Sequence, residues 1–334
     1  MAEKPDVISI GDIVTDVFIK LLDDQAHTYA NEDGRWLAMP FATKIPYENV
    51  ETIKGVGNAA NAAVSFARLG LNSAFATNVG EDQLGRDMIS ALHENKVDTR
   101  FVRVNPDKIS NTHYVLRYDV ERTILIKHEA YDYHWPHLRP DEVPGWLYFS
   151  SVSEHAMAYH DQIADWLEDN PEVKLAFQPG TFQMEAGVDR LNRIYAHSYV
   201  LILNREEAAS VTGGNHDDFD DLLFRMHSLG AKIAVITDGP NGAVASDGQE
   251  TFKMPLYPDP APPLDRTGAG DAFASTFVAA LIKGNNIQGA LQWAPINSMS
   301  VLQHVGAQDG LLSEKQIEHY LEQAPENFQP LPLH

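Results

Sequence analysis

The chain has 334 residues, of which 44% are hydrophobic and 22% charged, a composition typical of a folded globular protein and not of a disordered or fibrous one. Its 25 Lys and Arg against 47 Asp and Glu give a formal net charge of −22, which repels nucleic-acid backbones and anionic membrane surfaces, and the absence of cysteine excludes disulfides, thiolate metal sites and a cysteine nucleophile. We therefore expect no nucleic-acid and no membrane partner and, because no leader-like or long apolar segment is visible, a cytoplasmic location.

The first part of the chain combines strand and helix patterns. The β-branched segment 7–20 predicts one strand, whereas 21–51 has no sustained period and is expected to form extended pieces or loop and not a helix. Helical spacing predicts helices over 58–69 and 83–95. Three short strand-like runs within 101–128 follow one another without a helix, which predicts a small antiparallel sheet inserted in the chain.

The rest of the chain alternates strands with helices. Strands are predicted near 146–152, 174–177, 199–203 and 233–237, a hairpin of the Asp-Gly type at 243–254, and helices near 269–282, 287–303 and 313–323. Strands separated by helices form parallel sheets that carry helices on both faces. The fold class predicted is therefore α/β.

The strongest chemical motif is LDRTGAGDAFA at 264–274, which leads directly into an apolar helix. Glycines at a helix start let a ligand approach the backbone closely, and the free N–H groups of the first turn attract an anion. Asp271 in that turn is of the right type to accept a proton from a hydroxyl that attacks a phosphoryl group. An ordinary helix start with an acidic first turn explains the same residues equally well when they are taken alone.

Four segments resemble the signatures of the PfkB or ribokinase-like family of carbohydrate and nucleoside kinases. DRTGAGDAF at 265–273 is similar to the family's C-terminal signature DTxGAGDxF, and VGNAANAA at 56–63 is similar to its N-terminal signature. NREE at 204–207 and TDGPNG at 237–242 are similar to its N-x-x-E and T-x-G-x-x-G segments. On these segments, which keep the family's order and spacing, the chain is identified as a member of the family.

The resemblance implies an architecture and a reaction. The architecture is a single domain over 1–334, a three-layer α/β/α sandwich with a mostly parallel sheet, a small β-sheet lid from about 13–51 and 101–135, and a nucleotide-binding half at about 198–334. The reaction is ATP-dependent transfer of the γ-phosphoryl group to a sugar hydroxyl, as in ribokinases and fructokinases, with Mg²⁺. A nucleoside acceptor is the alternative, and pairing of two lids into a homodimer is a further expectation.

The resemblance also assigns roles to residues around the phosphoryl group. Asp271 matches the general base, and the backbone of Gly268, Ala269 and Gly270 matches the anion hole. The residues matched to the nucleotide are Asn204, Thr237, Gly239 and Gly242. Asn204 and Glu207 match the pair associated with Mg²⁺ through water, and Asp265 and Thr267 match part of a monovalent-cation (K⁺) site. Without the resemblance, an acidic first helical turn is the preferred explanation of NREE, and a plain turn explains TDGPNG equally well.

On the acceptor side, the matched residues are Asp12, Asp16, Gly57 and Asn61. The two oxygens of Asp16 suit a vicinal diol, and the Asn61 amide offers both a donor and an acceptor. Taken alone, Asp16 is equally a solvated acid at a strand end. Trp36, Phe41 and Tyr47 are candidates for an aromatic shelf under a nucleoside base.

The sequence departs from the family pattern in two places. Val56 stands where the first signature usually has glycine, and FQPGT at 177–181 stands where the family often has Asp-x-Asn. Two other classes of protein were weighed. GVGNAA at 55–60 also fits a dinucleotide fingerprint, but the preceding VETIK is short and charged, and a sensing protein that keeps the fold without turnover is the non-enzyme alternative. A P-loop is absent from the sequence.

Overall fold

The computed structural model describes residues 3–32, 34–119 and 121–333. Its strands form two separate β-sheets and a two-stranded hairpin. The strands are β1 (Val7–Ile10), β2 (Val14–Leu21), β3 (His27–Asn31), β4 (Gly34–Ala38), β5 (Tyr47–Val56), β6 (Ser73–Gly80), β7 (Val102–Asn105), β8 (Thr112–Tyr118), β9 (Glu121–Leu125), β10 (Trp146–Phe149), β11 (Lys174–Phe177), β12 (Ser198–Asn204), β13 (Ile233–Thr237), β14 (Ala243–Ser246), β15 (Thr251–Met254) and β16 (Leu331–Pro332). The predicted ranges also included residues 1, 2, 33, 120 and 334, which lie outside the described residues.

The larger sheet has ten strands in the order β16-β15-β14-β13-β12-β11-β10-β1-β6-β7. The strands from β7 to β13 in this order run parallel, and β14, β15 and β16 extend that edge antiparallel. The central strands β1 and β10 are buried along their whole length, as expected for apolar parallel strands covered on both faces. The prediction of a mostly parallel sheet is confirmed.

Helices cover both faces of this sheet. They are α1 (Asn58–Arg68), α2 (Gln83–Glu94), α3 (Met157–Asp169), α4 (Thr181–Ala186), α5 (Asn192–His197), α6 (Arg205–Thr212), α7 (Phe219–Ser228), α8 (Ala269–Ile282), α9 (Ile287–Leu302) and α10 (Glu314–Glu322). One apolar core lies between the sheet and α1, α8, α9 and α10, and a second between the sheet and α3, α5, α6 and α7. Within the described residues, none of these helices has the length and apolar character that crossing a bilayer requires.

The smaller sheet is the lid, with the strand order β5-β2-β8-β9. β2 pairs antiparallel with β5 and parallel with β8, and β8 forms a hairpin with β9. β3 and β4 form a separate two-stranded hairpin. The lid sheet is therefore mixed and not purely antiparallel as predicted.

The structure corrects two local predictions, on 7–20 and on the strand at 102–105, and bears out a third. The segment predicted as one strand over 7–20 is two strands in two sheets, because the chain turns at Gly11, where a Cβ would lie 2.4 Å from the Cβ of Ala59. The segment 21–51, predicted as extended pieces or loop without a helix, contains β3, β4 and the first half of β5, which confirms the extended structure. β7 pairs with β6 of the central sheet instead of joining the lid.

Candidate active site

A cavity of about 480 Å³ lies between the lid and the carboxyl ends of the central strands. Its floor comes from residues that follow or end β1, β10, β11, β12 and β13, and its roof comes from β2, β5, β8 and the end of β9. Carboxyl ends of parallel strands meet at one edge of a sheet, where α/β proteins bind their ligands. The cavity is therefore the candidate active site.

Most of the sequence-predicted residues border this cavity, namely Asp12, Asp16, Gly57, Asn61, Asn204, Glu207, Thr237, Thr267, Gly268, Gly270 and Asp271. Ala269, Gly239, Gly242 and Asp265 do not border it. Gly239 and Gly242 lie in the turn after β13, where both have positive φ and the Gly242 N–H donates to the Gly239 carbonyl. The fold thus brings together segments that are more than 250 residues apart in the chain.

The amino-terminal end of α8 opens onto the cavity. Gly268 precedes the helix with φ +79°, and a Cβ at this position would lie 2.2 Å from the Cβ of Ala307. Only glycine satisfies both the positive φ and the close approach. No side chain caps the helix, and first-turn N–H groups have no partner within an α-helix. The backbone at 269–271 therefore presents donors of the kind that hold an anion.

Asp271 lies in this first turn and is 9% exposed. Its Oδ2 accepts a hydrogen bond from Asn61 Nδ2 at 2.8 Å. Burial raises its pKa from 3.8 to about 6, although hydrogen bonds from Asn61, Gln178 and Asn58 favour the carboxylate. The carboxylate remains ionised at pH 7 and is more basic than an exposed aspartate, which is the condition that a general base needs.

The orientation of Asn61 is determined by a residue of the C-terminal part of the chain. Gln308 Nε2 donates to Asn61 Oδ1 at 3.1 Å and to the Gly55 carbonyl at 2.9 Å. With its Oδ1 engaged as an acceptor, Asn61 directs its Nδ2 toward Asp271. Gln308 was not among the predicted residues, because it is 247 positions away from Asn61 and no local pattern relates the two.

Asp16 extends from β2 of the lid into the cavity. Its Oδ1 is buried and has no hydrogen-bond partner among the described residues, and the nearest basic nitrogen is His113 Nδ1 at 3.6 Å. Burial raises the pKa of Asp16 to about 6, and the positive charge of Arg122 opposes that rise. A buried acceptor without a partner fits a ligand hydroxyl.

Asp12, in contrast, has protein partners on both oxygens. Oδ1 accepts from the Tyr133 hydroxyl at 2.8 Å, and Oδ2 accepts from the Ser153 N–H at 2.8 Å and lies 3.0 Å from His128 Nδ1. Asp12 borders the cavity but is 5% exposed. These contacts make Asp12 the residue that holds His128 in place.

Asn204 and Glu207 form a capping box at the start of α6. The Glu207 N–H donates to Asn204 Oδ1 at 2.8 Å, and the Asn204 N–H donates to Glu207 Oε2 at 2.9 Å. Burial raises the pKa of Glu207, and the neighbouring charge of Glu206 adds to that rise. The structural interpretation of NREE is thus correct, yet both side chains also border the cavity. The second Glu207 oxygen suits a Mg²⁺ ion held through water.

Asp265 and Thr267 bind one another beside the start of α8. The N–H and hydroxyl of Thr267 donate to Asp265 Oδ1 at 2.9 and 2.8 Å, and the Gly306 N–H donates to Asp265 Oδ2 at 3.0 Å. Burial alone would raise the pKa of Asp265, but these hydrogen bonds hold it below its ordinary value. Across the described ranges, no group of three or more His, Asp or Glu residues is arranged to bind a metal directly.

Several cavity residues were not predicted as site residues, namely His113, His128, Ile124, Ile126, Gln178 and Phe182. Gln178 lies in the segment that departs from the family pattern, where it accepts from the Tyr148 hydroxyl. His113 stands opposite Asp16 because β2 and β8 pair in parallel, a register that the sequence does not reveal. The predicted aromatic shelf is wrong, because Trp36, Phe41 and Tyr47 do not border the cavity and are exposed.

The dinucleotide fingerprint at 55–60 is excluded by its place in the fold. Such a fingerprint follows a buried strand of a parallel sheet. The strand before it, β5, belongs to the lid and is exposed over most of its length.

Comparison with known proteins points to one family. The model of the pfkB family of carbohydrate kinases matches residues 49–314. An ATP-dependent 6-phosphofructokinase of Thermoanaerobacterium thermosaccharolyticum is 27% identical over 264 residues, covering 75% of this chain and 80% of that protein. The ribokinase of Bacillus subtilis is 24% identical over 288 residues, covering 81% of this chain and 88% of that protein.

Solved structures of low sequence identity share the fold. The ribokinase of Arabidopsis thaliana complexed with ribose and ATP has a TM-score of 0.77 at 20% identity, covering 96% of this chain and 99% of that one. The nucleoside kinase of Methanocaldococcus jannaschii has a TM-score of 0.76 at 17% identity, with the same coverage. A putative ribokinase II of E. coli in complex with ATP and Mg²⁺ has a TM-score of 0.75 at 18% identity, covering 96% of this chain and 99% of that one. The predicted ribokinase-like sandwich with a lid is confirmed.

Proposed function

This chain belongs to the pfkB family of carbohydrate kinases, and from that premise we propose that it transfers the γ-phosphoryl group of ATP to a hydroxyl of a sugar ring, with Asp271 as the general base. One observation carries the proposal. The basic carboxylate of Asp271 and the free N–H groups of α8 occupy a single helical turn at the cavity, which the diol-accepting Asp16 also borders.

The proposed step uses each of these groups once. Asp16 accepts hydrogen bonds from the acceptor diol and turns a third hydroxyl toward Asp271. Asp271 takes the proton of that hydroxyl as its oxygen bonds to the γ-phosphorus, and the bond from the γ-phosphorus to the bridging oxygen breaks. The products are a sugar phosphate ester and ADP. The N–H groups at 269–271 stabilise the negative charge of the transferred group.

The remaining predicted residues are assigned to the nucleotide and the ions. Asn204 and Glu207 would hold Mg²⁺ through water, and the metal supplies charge neutralisation between the phosphates when it is bound. Thr237, Gly239 and Gly242 are proposed to follow the nucleotide. Asp265 with Thr267 stays our prediction for part of a K⁺ site, and lid-to-lid dimerisation stays a prediction as well.

The Asp271→Asn variant tests the proposal. Asparagine keeps the size of the side chain but does not accept the proton, so turnover measured by ADP release falls by about two or more decades while the KM for ATP changes little. The matched control is Asp169→Asn at the exposed end of α3, which leaves turnover unchanged. Undiminished turnover of Asp271→Asn removes Asp271 from the mechanism. Ligand binding without any turnover in the unmodified protein favours a sensing protein instead.

A further inference from the structure

The end of the cavity near Asp12 and Asp16, where the proposed acceptor would bind, has carboxylates but no lysine or arginine among the described residues. None of the residues that border the cavity in the described part of the chain is a lysine or an arginine, whereas Asp12 and Asp16 both border it. Proteins bind phosphate groups mainly with Arg, Lys and backbone N–H groups. A phosphorylated sugar would bring a second anion next to Asp16 without a cation to balance it. The lining therefore favours an uncharged acceptor.

The basic side chain to consider is Arg122 at the outer end of the lid. It pairs with Arg117 across the β8–β9 hairpin, whereas Asp16 pairs with His113 four residues earlier on β8. Arg122 is exposed and does not border the cavity, although its charge reaches Asp16. The positive charge of Arg122 is thus already partly balanced by the carboxylate of Asp16. A phosphorylated acceptor would depend on Arg122, which makes this residue a useful discriminator.

The same end of the cavity has an apolar wall. Ile124 near the end of β9 and Ile126 just after it both border the cavity, and their side chains are 44% and 56% exposed. Phe18 and Ile53 of the lid strands β2 and β5 also border the cavity, as does Phe182 of α4. A free pentose or hexose carries hydroxyl groups around its ring and covers such a wall poorly. A ligand with a flat, weakly polar part next to its diol covers it well.

The aromatic ring of Phe182, which also borders the cavity, is held in position by neighbouring rings. It packs edge-on against His128 at 5.4 Å between ring centroids, and His128 packs in the same way against His113 at 5.3 Å. His128 is in turn fixed by Asp12 at 3.0 Å. Direct ring contacts through His128 therefore connect Phe182 to His113, which lies on β8 of the lid opposite Asp16.

His113 supplies a neutral polar group in this row. Burial and the neighbouring His128 lower its pKa to about 4 against the opposing charge of Asp12, so the imidazole is uncharged at pH 7. Its Nε2 is buried without a hydrogen-bond partner among the described residues. A neutral imidazole nitrogen pairs with a hydroxyl or with a ring nitrogen of a heterocycle, and does not attract a phosphate.

We propose that the acceptor is a nucleoside, whose ribose diol binds Asp16 and whose base packs between Phe182 and the wall formed by Ile124 and Ile126. The inference rests on the proposed kinase function and names the acceptor class of the same site. It differs from the reaction of the phosphofructokinase to which the chain is similar, since that enzyme's name denotes a phosphorylated sugar.

The test is steady-state ADP release by the full-length protein with Mg²⁺ and ATP. The acceptors are adenosine, inosine, uridine, cytidine, ribose, fructose and fructose 6-phosphate. We expect the kcat/KM of at least one nucleoside to be about tenfold higher than that of ribose or fructose and about a hundredfold higher than that of fructose 6-phosphate. Base–aromatic packing alone is worth about 5- to 100-fold.

Variants separate the role of the ring from a general effect on folding. Phe182→Ala should raise the KM for the nucleoside about tenfold more than it raises the KM for ribose. The nucleoside KM of Phe182→Leu should lie between those of the unmodified protein and Phe182→Ala. Phe224→Ala, at a phenylalanine that is 71% exposed on α7 and outside the cavity, is the matched control and should change neither. Thermal unfolding of each variant verifies that the fold is retained.

Two results overturn the inference and leave the kinase function intact. One is a preference for fructose 6-phosphate that Arg122→Gln removes. The other is a preference for ribose or fructose together with equal effects of Phe182→Ala on all acceptors. If no acceptor receives a phosphoryl group, the proposed function and the inference both fail.

Discussion

Replacing Gly268 by alanine tests whether the start of α8 determines the geometry of the anion site. At φ +79° an alanine costs about 1–2 kcal/mol relative to glycine. The new Cβ would also lie 2.2 Å from the Cβ and 2.6 Å from the Cα of Ala307, and overpacking of this kind costs about 1–3 kcal/mol. The two effects together amount to about 2–5 kcal/mol, against a typical stability of about 5–15 kcal/mol.

A side-chain rotation does not relieve this clash, because the Cα and the carbonyl oxygen of Ala307 are backbone atoms, and we expect the start of α8 to move instead. A displaced first turn no longer directs its N–H groups at the phosphoryl group, and the loss of one such donor lowers kcat by about 10²- to 10³-fold. Urea unfolding measures the free energy of unfolding, and ADP release measures kcat. Both should fall in Gly268→Ala.

Gly284→Ala provides the matched control, since Gly284 has φ +92° and a Cβ there would contact nothing within 4 Å. It should lose only the backbone part, about 1–2 kcal/mol, with kcat unchanged. Adding Ala307→Gly to Gly268→Ala should restore part of both quantities, because it removes the closest contact. If Gly268→Ala behaves like Gly284→Ala in both assays, the contact with Ala307 does not position the anion site and the reasoning is refuted.

Four further predictions concern the carboxylates and their partners. Because the pKa of Asp271 in the ligand-free protein is about 6, kcat/KM should fall about tenfold per pH unit below pH 6. A raised carboxyl pKa also destabilises the folded state as the pH increases from 4 to 6, so Asp271→Asn should be more stable than the unmodified protein at pH 8, by about 2–3 kcal/mol in urea unfolding, and not at pH 4. Gln308→Leu removes the hydrogen bond from Gln308 Nε2 to Asn61 Oδ1, and kcat should fall about tenfold while the KM for ATP is retained. An unchanged kcat would mean that Asn61 is oriented without Gln308. Asp12→Asn weakens the hold on His128 and should raise the KM for the acceptor more than it lowers kcat, which initial-rate measurements distinguish.

Some features of this protein are readable from the sequence because they are local. The glycines before Asp271 and the apolar run after it describe a helix start within a few residues, and the structure has α8 beginning at Ala269 as predicted. The alternation of strands and helices after Pro136 predicted the parallel sheet for the same reason, since a period of two or 3.6 residues is complete within one element. The segments proposed to bind the acceptor and the nucleotide and to carry catalysis were recognisable one by one through their resemblance to family signatures.

Only the tertiary structure decided how these segments meet. β2 leaves the strand direction of β1 at Gly11 and pairs with β8, which brings His113 to Asp16, and Gln308 reaches Asn61 from 247 positions away. The tertiary structure also places Trp36 and Phe41 outside the cavity and Phe182 in its lining. The physical reason is that pairing between distant strands depends on which faces can be buried together, a property of the whole chain, whereas the tendency to form a helix start or an anion-binding turn belongs to a few neighbouring residues.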